Sequence, residues 1–399
     1  MIINEVRALA YTTHIAWVRP IAGADNIELV GVLGWTCIAK KGEFREGDLC
    51  VYFEIDSKLP EDKEWCAFLA NKKFKVKTMK LSKFNVVSQG LALPLSAFGP
   101  DIKIPNEENV DVTALLGVTY ADAEDNQRKA PSADKYKKMA QRRPKLFRNP
   151  IVRWFMRREW GRKLMFFLFG KKKDKKSGWP AWVKKTDEER VQNMPWLFNP
   201  EADYGNWVVT EKVDGTSTTF TMKGYGKKRE FYVCSRNVVF DTPEKADKCF
   251  YDTNVYLEMA EKYHIKDVMD RIMSQYGNLD FLTIQGETYG GNIQKRNYGY
   301  DGHKLAIFNI IYGWSNGDTE RLNPIQMENL CQFYDLPCVP IVDECFKLPA
   351  TCEEMLDYAA SAPSKIDGGM REGVVLRSMD GVMSFKAVSN EFLMKYHNG

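Results

Sequence analysis

Long apolar runs are missing from this sequence of 399 residues. The longest, Leu164 to Phe169, has six residues, far short of the 18 or so that a membrane-spanning helix needs. Histidine is scarce. His14, His264, His303 and His397 show no HxH or HxxxH spacing, so they read as ordinary surface or core residues. Paired CxxC cysteines are absent, and the cysteine count of nine is odd. That pattern favours reduced thiols in an intracellular protein. Cys331, Cys338, Cys345 and Cys352 recur every seventh residue, but Pro337, Pro340 and Pro349 interrupt any single helix there, and no metal is assigned to them. The N-terminus lacks the basic stretch and long apolar core of a secretory leader. An intracellular location is expected, with cytoplasm and nucleus left open.

What is present is a segregation of charge. The whole chain has 57 Lys and Arg against 53 Asp and Glu, a formal +4. Residues 128 to 185 alone hold 21 Lys/Arg and three acids (Asp134, Glu159, Asp174), a net +18. The remainder, with 36 basic and 50 acidic residues, stands at −14. A uniformly basic protein is excluded, and an affinity for polyanions is built into one segment. With 44% hydrophobic residues the chain is not globally disordered, and its length suits two or three domains.

Residues 1–120 read as short strands punctuated by glycine. Ile27 to Val32, Thr36 to Ala39, Asp48 to Phe53 and Gln89 to Pro94 are strand-like, and Lys72 to Leu81 alternates basic and apolar residues as a strand with one basic face would. Five or more such strands suggest a small OB-type barrel. The run from Pro20 to Glu28, followed by Gly34-Trp35, resembles the OB-type tRNA-binding modules of some aminoacyl-tRNA synthetases. An RNA platform and a purely structural barrel with solvated lysines stand level at this point.

Residues 121–178 form a basic, aromatic-rich connector. Lysine and arginine clusters flank Ile151 to Phe169, where Trp154, Phe155, Trp160, Phe166, Phe167 and Phe169 interleave with Arg153, Arg157, Arg158, Arg162 and Lys163. A nucleic-acid grip, an anionic membrane-surface helix and a solvated tether all fit. RNA contact ranks first and membrane contact second.

The chemistry lies in residues 179–399. Glu211-Lys212-Val213-Asp214-Gly215 sits between two β-rich runs, placing a lysine amine at a strand end beside a carboxylate and a flexible backbone. A lysine with its ordinary pKa is protonated and must be depressed by burial or nearby cations before it can attack phosphorus. Downstream come Ser235-Arg236-Asn237, Gln285-Gly286-Glu287-Thr288-Tyr289-Gly290, Lys304 to Ile311, Glu372 to Arg377, and Ser384 to Val388. In order and spacing these resemble motifs I, Ia, III, IIIa, IV and V of the covalent nucleotidyltransferases, the polynucleotide ligases and mRNA capping enzymes. DNA ligases and capping enzymes carry an OB domain after motif V, whereas the OB-like section here comes first. That arrangement is similar to the ATP-dependent RNA ligases of the Naegleria type, as is the lead-in Trp182 to Asn193. The basic connector is the part the resemblance does not cover.

The resemblance implies an α+β protein: an N-terminal OB-like barrel, then a nucleotidyltransferase domain of antiparallel sheets with flanking helices. It implies that Lys212 attacks the α-phosphorus of ATP to form a lysyl-AMP, that the AMP passes to an RNA 5′-phosphate, and that a 3′-hydroxyl then displaces it. A nicked duplex is the expected RNA and a monomer the expected state, with RNA repair as the setting. Asp214, Glu287 and Glu372 would surround Mg²⁺, or Mn²⁺ in its place, partly through its waters. Lys386 would serve the α-phosphate, Arg236 the ribose-phosphate region and Arg190 the β- and γ-phosphates. Phe308 would stack on adenine, Glu211 would contact its edge, and Gly215 would let the backbone approach the nucleotide. Two positions depart from the pattern. Val388 stands where many relatives have a second motif V lysine, a contact either supplied by Lys395 or absent here, and Ser217 stands where some RNA ligases use Asn. Bland readings stand beside two of these: Phe308 as core, and Arg190 as the partner of Asp187 one helical turn away. The rival readings are a DNA ligase or capping-type enzyme, and a non-catalytic RNA-binding protein.

Overall fold

The computed structural model describes residues 1–3, 6–121, 179–240, 249, 251 and 253–397. The basic connector lies outside the described residues, as does Thr242-Pro243-Glu244, where a threonine cap and a first-turn proline predict the start of a helix. Met1–Ala121 and Trp182–Gly399 form one compact unit.

The N-terminal part is a curled sheet of β1 (Ala10–Pro20), β2 (Ile27–Val32), β3 (Trp35–Lys40), β4 (Leu49–Phe53) and β5 (Leu91–Pro94). The order is β5-β4-β1-β2-β3, antiparallel throughout. The Gln89 N–H donates to the Thr36 carbonyl at 2.8 Å, which ties the approach to β5 back to β3 and closes the barrel. A register shift in β1 between Ile15 and Trp17 bends the strand around the core. One face buries Tyr11, Val30, Trp35 and Tyr52, and the other buries Val51, Phe53, Leu69 and Phe98.

The Lys72–Leu81 expectation is corrected. Glu64–Lys72 is a 3₁₀ helix, Lys73 and Phe74 turn through left-handed conformations (φ 54° and 57°), and only Met79–Leu81 is strand. Alternation over ten residues resembles a strand in sequence, but two consecutive left-handed residues stop a ladder from forming.

The second part is two five-stranded sheets. One contains β6 (Glu189–Arg190), β7 (Trp207–Lys212), β13 (Ile341–Phe346), β14 (Gly373–Ser378) and β15 (Ser384–Val388), in the order β6-β15-β14-β7-β13. The other contains β8 (Thr216–Lys223), β9 (Glu230–Cys234), β10 (Leu279–Gly290), β11 (His303–Trp314) and β12 (Thr319–Arg321), in the order β9-β8-β10-β11-β12. Helices α1 (Val255–Lys262) and α2 (Ile265–Gln275) back the second sheet. In α2, Ile265, Val268, Met269, Ile272 and Met273 fall on one face and are all buried; each contributes roughly 1.5–3 kcal/mol of apolar burial. Helix α3 (Pro324–Phe333) opens with an Asn323/Gln326 capping box and a proline in its first turn. A Thr351/Glu354 capping box starts α4 (Cys352–Ala360) against the first sheet.

Alternation in the first sheet decides where chemistry can occur. Trp207, Val209, Val374, Leu376, Phe385 and Ala387 point to the core beneath α4. The intervening residues, Lys212, Arg377, Lys386 and Arg190 among them, fall on the opposite face. There Arg377 donates to the Phe308 carbonyl of β11 at 2.6 Å, linking the two sheets. Val388, at the motif V departure, packs with Leu393 among the barrel residues Ala8, Tyr11 and Ile15. All nine cysteines are free thiols.

Candidate active site

Lys212 ends β7 directly opposite Gly373, the first residue of β14, so Glu372 arrives beside the lysine from the neighbouring strand. Lys212 Nζ lies 2.8 Å from Glu372 Oε1 and 3.0 Å from Oε2. Glycine is required at position 373 by close approach: a Cβ there would sit 2.2 Å from the Ala387 carbonyl oxygen. The same holds at Gly215, where a Cβ would meet the Thr288 carbonyl oxygen at 2.3 Å and Glu287 Cγ at 2.9 Å. The turn after Lys212 therefore lies against β10 and brings Asp214 and Glu287 toward the pair.

The carboxylates outnumber their local partners. Glu287 is pushed up to about 8 by burial, with Lys212 opposing and Glu372 and Asp214 reinforcing. Glu372 is also raised, by burial above all. Asp214 Oδ2 is buried with no hydrogen-bond partner among the described residues, and its Oδ1 lies 3.4 Å from His397 Nε2. Burial alone would lower the Lys212 ammonium, but Glu372, Glu287 and Asp214 outweigh it and hold the group above its ordinary value. In the resting site the lysine is therefore protonated, and the lowering that attack on phosphorus requires has still to be supplied.

The depressed lysine is Lys386. Burial is the main cause, with Arg190, Arg7 and Lys212 adding to it, and the ammonium falls to about 7. Its strand neighbour in parallel register is Arg190. Arg190 is 7% exposed, yet its Nε and Nη1 have no hydrogen-bond partner among the described residues. Its Nη2 reaches Asp56 of the barrel only at 3.7 Å. A buried guanidinium with two unanswered nitrogens beside a destabilised ammonium is a cation cluster short of an anion.

The remaining expected residues fall around this centre in different ways. Arg236 pairs with Asp187 at 2.7 Å and lies over the Tyr120 ring at 5.3 Å. Asp187 therefore belongs to Arg236 rather than to Arg190, because Glu189–Arg190 is strand and not helix. Phe308 is half-buried on β11 and packs against the second sheet's core. Glu211, on the other face of β7 from Lys212, already accepts from Ser364 Oγ at 2.5 Å and the Lys365 N–H at 2.7 Å. Ser217 Oγ lies 2.9 Å from Thr186 Oγ1, and the Lys395 ammonium stands over the Tyr396 ring.

Sequence reasoning missed several neighbours. Arg7 donates to Glu54 at 3.0 Å and to the Tyr120 hydroxyl at 3.2 Å, beside Asp56. His397 reaches Asp214. Neither sits in a recognisable local pattern: Arg7 comes from the short strand Val6–Arg7 and His397 from the helical turn Leu393–His397, each more than a hundred residues from Lys212. The barrel is fastened to this wall of the site by Asn193. Its Oδ1 accepts from Trp35 Nε1 at 2.6 Å and Tyr11 OH at 3.2 Å, and its Nδ2 donates to Glu54 and Glu189 at 2.8 and 2.7 Å.

Two facing sheets, a lysine–carboxylate pair at the end of one of them and a barrel at its edge define a nucleotidyltransferase fold preceded by an OB-fold domain. Residues 9–95 match an OB-fold domain model, and residues 205–397 match the RNA ligase family model. Three structures of Naegleria gruberi RNA ligase are similar over the whole chain, each at 28% identity. The form with PPi has a TM-score of 0.73, covering 99% of this chain and 100% of that one. A mutant with ATP and Mn has 0.72, covering 99% of each. Another with AMP and Mn has 0.72, covering 98% and 100%. No curated protein sequence matches. The chain thus carries a segment matching an OB-fold domain ahead of a segment matching the RNA ligase family, the arrangement in which it is similar to the Naegleria gruberi structures.

Proposed function

We propose that the protein is an ATP-dependent RNA ligase that works through a covalent lysyl-AMP on Lys212. The observation that carries this reading is the juxtaposition of the Lys212–Glu372 pair with the anion-short cluster of Lys386 and Arg190 on one face of one sheet. In the first step Lys212 Nζ, having lost its proton, forms a bond to the α-phosphorus as the bond to pyrophosphate breaks. Lys386 lies beside the α-phosphate and Arg190 takes the β- and γ-phosphates. Arg236 serves the ribose-phosphate region, Phe308 offers a ring face to adenine, and Gly215 admits the nucleotide close to the backbone. Glu211 shapes the adenine end through its hold on the Ser364-Lys365 turn. In the second step an RNA 5′-phosphate oxygen takes the AMP and the lysine leaves. In the third, a 3′-hydroxyl attacks the phosphorus of the RNA 5′-phosphate, forming the phosphodiester as the bond to AMP breaks and AMP departs. Splitting one condensation this way keeps phosphoryl activation on the protein until the ends are in place.

A divalent cation fits the acidic side of the site. The orphaned Asp214 Oδ2 and the raised Glu287 are what a site built for an extra positive charge shows. Among the described residues no three His, Cys, Asp or Glu groups are gathered into a cage. Asp214, Glu287 and Glu372 would therefore hold Mg²⁺ or Mn²⁺ largely through its waters. When bound, the cation would offset phosphate charge and draw Glu372 away from Lys212, lowering the lysine pKa.

The RNA is taken to be a nicked duplex, joined by the protein as a monomer. The connector supplies backbone contact in preference to a membrane, and among the described residues no helix is long and apolar enough to cross one. Incubation with the divalent metal and α-labelled ATP, or separately GTP, tests the reading. Label should appear covalently on the protein with ATP alone. No label with ATP, or label that survives Lys212→Ala, would sink it, and sealing of RNA- or DNA-ended nicks then identifies the polymer.

A further inference from the structure

Tyr298 is a buried aromatic residue in a conformation that suits glycine. Its φ is +53° and it is 2% exposed. A bulky side chain in the left-handed region costs about 1–3 kcal/mol and persists only where the surroundings over-determine it. Here the surroundings do so. The Arg296 guanidinium covers the Tyr298 ring at 3.9 Å, and the Tyr289 ring meets it edge-on at 5.1 Å. Arg296 is itself held by Asp367 at 2.5 Å, and a Cβ on the adjacent Gly369 would crowd its Nη2 at 3.1 Å. At the far end the phenol oxygen accepts the Asp214 N–H at 2.7 Å. That N–H belongs to the turn between Lys212 and β8. The carboxylate of the same residue has a buried, unpartnered oxygen and acts electrostatically on both Lys212 and Glu372.

We propose that Tyr298 is a positioning residue for the adenylyl-transfer step: its strain-held hydroxyl fixes the Asp214 backbone and so keeps the Asp214 carboxylate trained on the Lys212–Glu372 pair. The chain of contacts runs Asp367–Arg296–Tyr298–Asp214, from an exposed turn to the catalytic loop. Burial keeps the phenol protonated well above its ordinary pKa, so the hydroxyl serves as a neutral anchor. Nothing in the ligase reading assigns Tyr298, Arg296 or Asp367 a role, although the proposal rests on that reading.

The test compares full-length wild type and Tyr298→Phe for single-turnover labelling by α-labelled ATP across a Mg²⁺ titration, with thermal unfolding alongside. The Phe variant keeps the ring and its stacking and loses only the acceptor. It should unfold within a few degrees of wild type, label roughly tenfold more slowly at limiting Mg²⁺, and need more Mg²⁺ for half-maximal rate. Arg296→Lys, which keeps the charge toward Asp367 but not the flat stacking surface, should fall between the two. Labelling at the wild-type rate across the titration overturns the proposal. So does a loss of labelling that tracks lost stability with an unchanged Mg²⁺ requirement. A wild-type protein that takes no label fails at an earlier point, removing the ligase reading and this proposal with it.

Discussion

Lys386 and Arg190 are register partners on adjacent parallel strands, so two cations leave one face of one sheet side by side. The consequence is a pH dependence with a defined sign. The Lys386 ammonium titrates at about 7 in the folded protein, mainly through burial, against about 10.4 for an unfolded lysine. Between those values the unfolded chain binds more protons, so this group makes stability rise with pH. Below about 7 the full penalty of two buried cations remains. Lys386→Met should therefore raise the melting temperature at pH 6.5 by about 5 °C and leave it nearly unchanged at alkaline pH. Inorganic pyrophosphate should stabilise wild type more than Lys386→Met, and the difference should shrink as pH rises through 7 to 9. Equal stabilisation of both proteins at every pH would show that no anion seats on this lysine.

Glu287 titrates with the opposite logic. Burial lifts its carboxyl to about 8 from an ordinary 4.5. In the metal-free protein the folded state then binds more protons across that window, so this group's contribution to stability is present at low pH and lost as pH rises toward 8. A cation must expel that proton to use the carboxylate. The Mg²⁺ concentration that gives half-maximal labelling should fall as pH is raised from 6.5 to 8.5, with proton release on binding detectable in weak buffer. Glu287→Gln should label poorly and show a flatter pH dependence of its Mg²⁺ requirement. A Mg²⁺ requirement in wild type that does not move with pH would refute the assignment.

Asn193 joins four partners from both halves of the molecule through one amide. Replacement by Ala leaves the Trp35 N–H and the Glu54 carboxylate without that partner in a buried place, which should destabilise the protein by about 3 kcal/mol. Asn193→Asp should do worse, because it adds a third carboxylate between Glu54 and Glu189. Chemical denaturation measures both. A loss under about 0.5 kcal/mol for Asn193→Ala, the usual range for surface changes, would show that the barrel is held by its apolar contacts instead.

That amide also marks where reading the sequence stops. Strands β2, β4 and β5 and the six ordered motifs were legible because periodicity, glycine punctuation and short motifs are local. Motif order assigned Lys212 to the nucleotide and Glu372 to its metal, and their direct pairing comes from the structure. What was not legible is set by packing between distant segments. The sign of the Lys212 shift depends on three carboxylates, two of them 75 and 160 positions downstream. The alternative pairing of Arg190 with Asp187 drops out because two residues, Glu189-Arg190, pair in parallel with β15 instead of continuing a helix. Tyr298 and His397 carry no motif, and only the folded turn brings them to Asp214. The Lys72–Leu81 alternation misled for the converse reason: a local pattern was overruled by a left-handed pair at Lys73-Phe74.

The connector can be tested apart from the site, because charging the lysine needs no RNA whereas sealing does. Lys171, Lys172, Lys173, Lys175 and Lys176 form the densest basic cluster in the chain. If they neutralise phosphates, replacing all five with Gln should leave self-labelling at the wild-type rate. RNA binding should weaken, and the slope of log affinity against log salt should fall by up to about 3.5 for a single strand, since each contact releases roughly 0.7 counterion. Sealing should then fall at physiological salt and recover at low salt or high RNA concentration, the mark of a binding defect rather than a chemical one. An unchanged slope would assign the cluster to solvation, or to an anionic surface other than RNA. Vesicles containing phosphatidylserine then serve as the second arm: binding to them that the five substitutions abolish would move the connector from the substrate to a membrane.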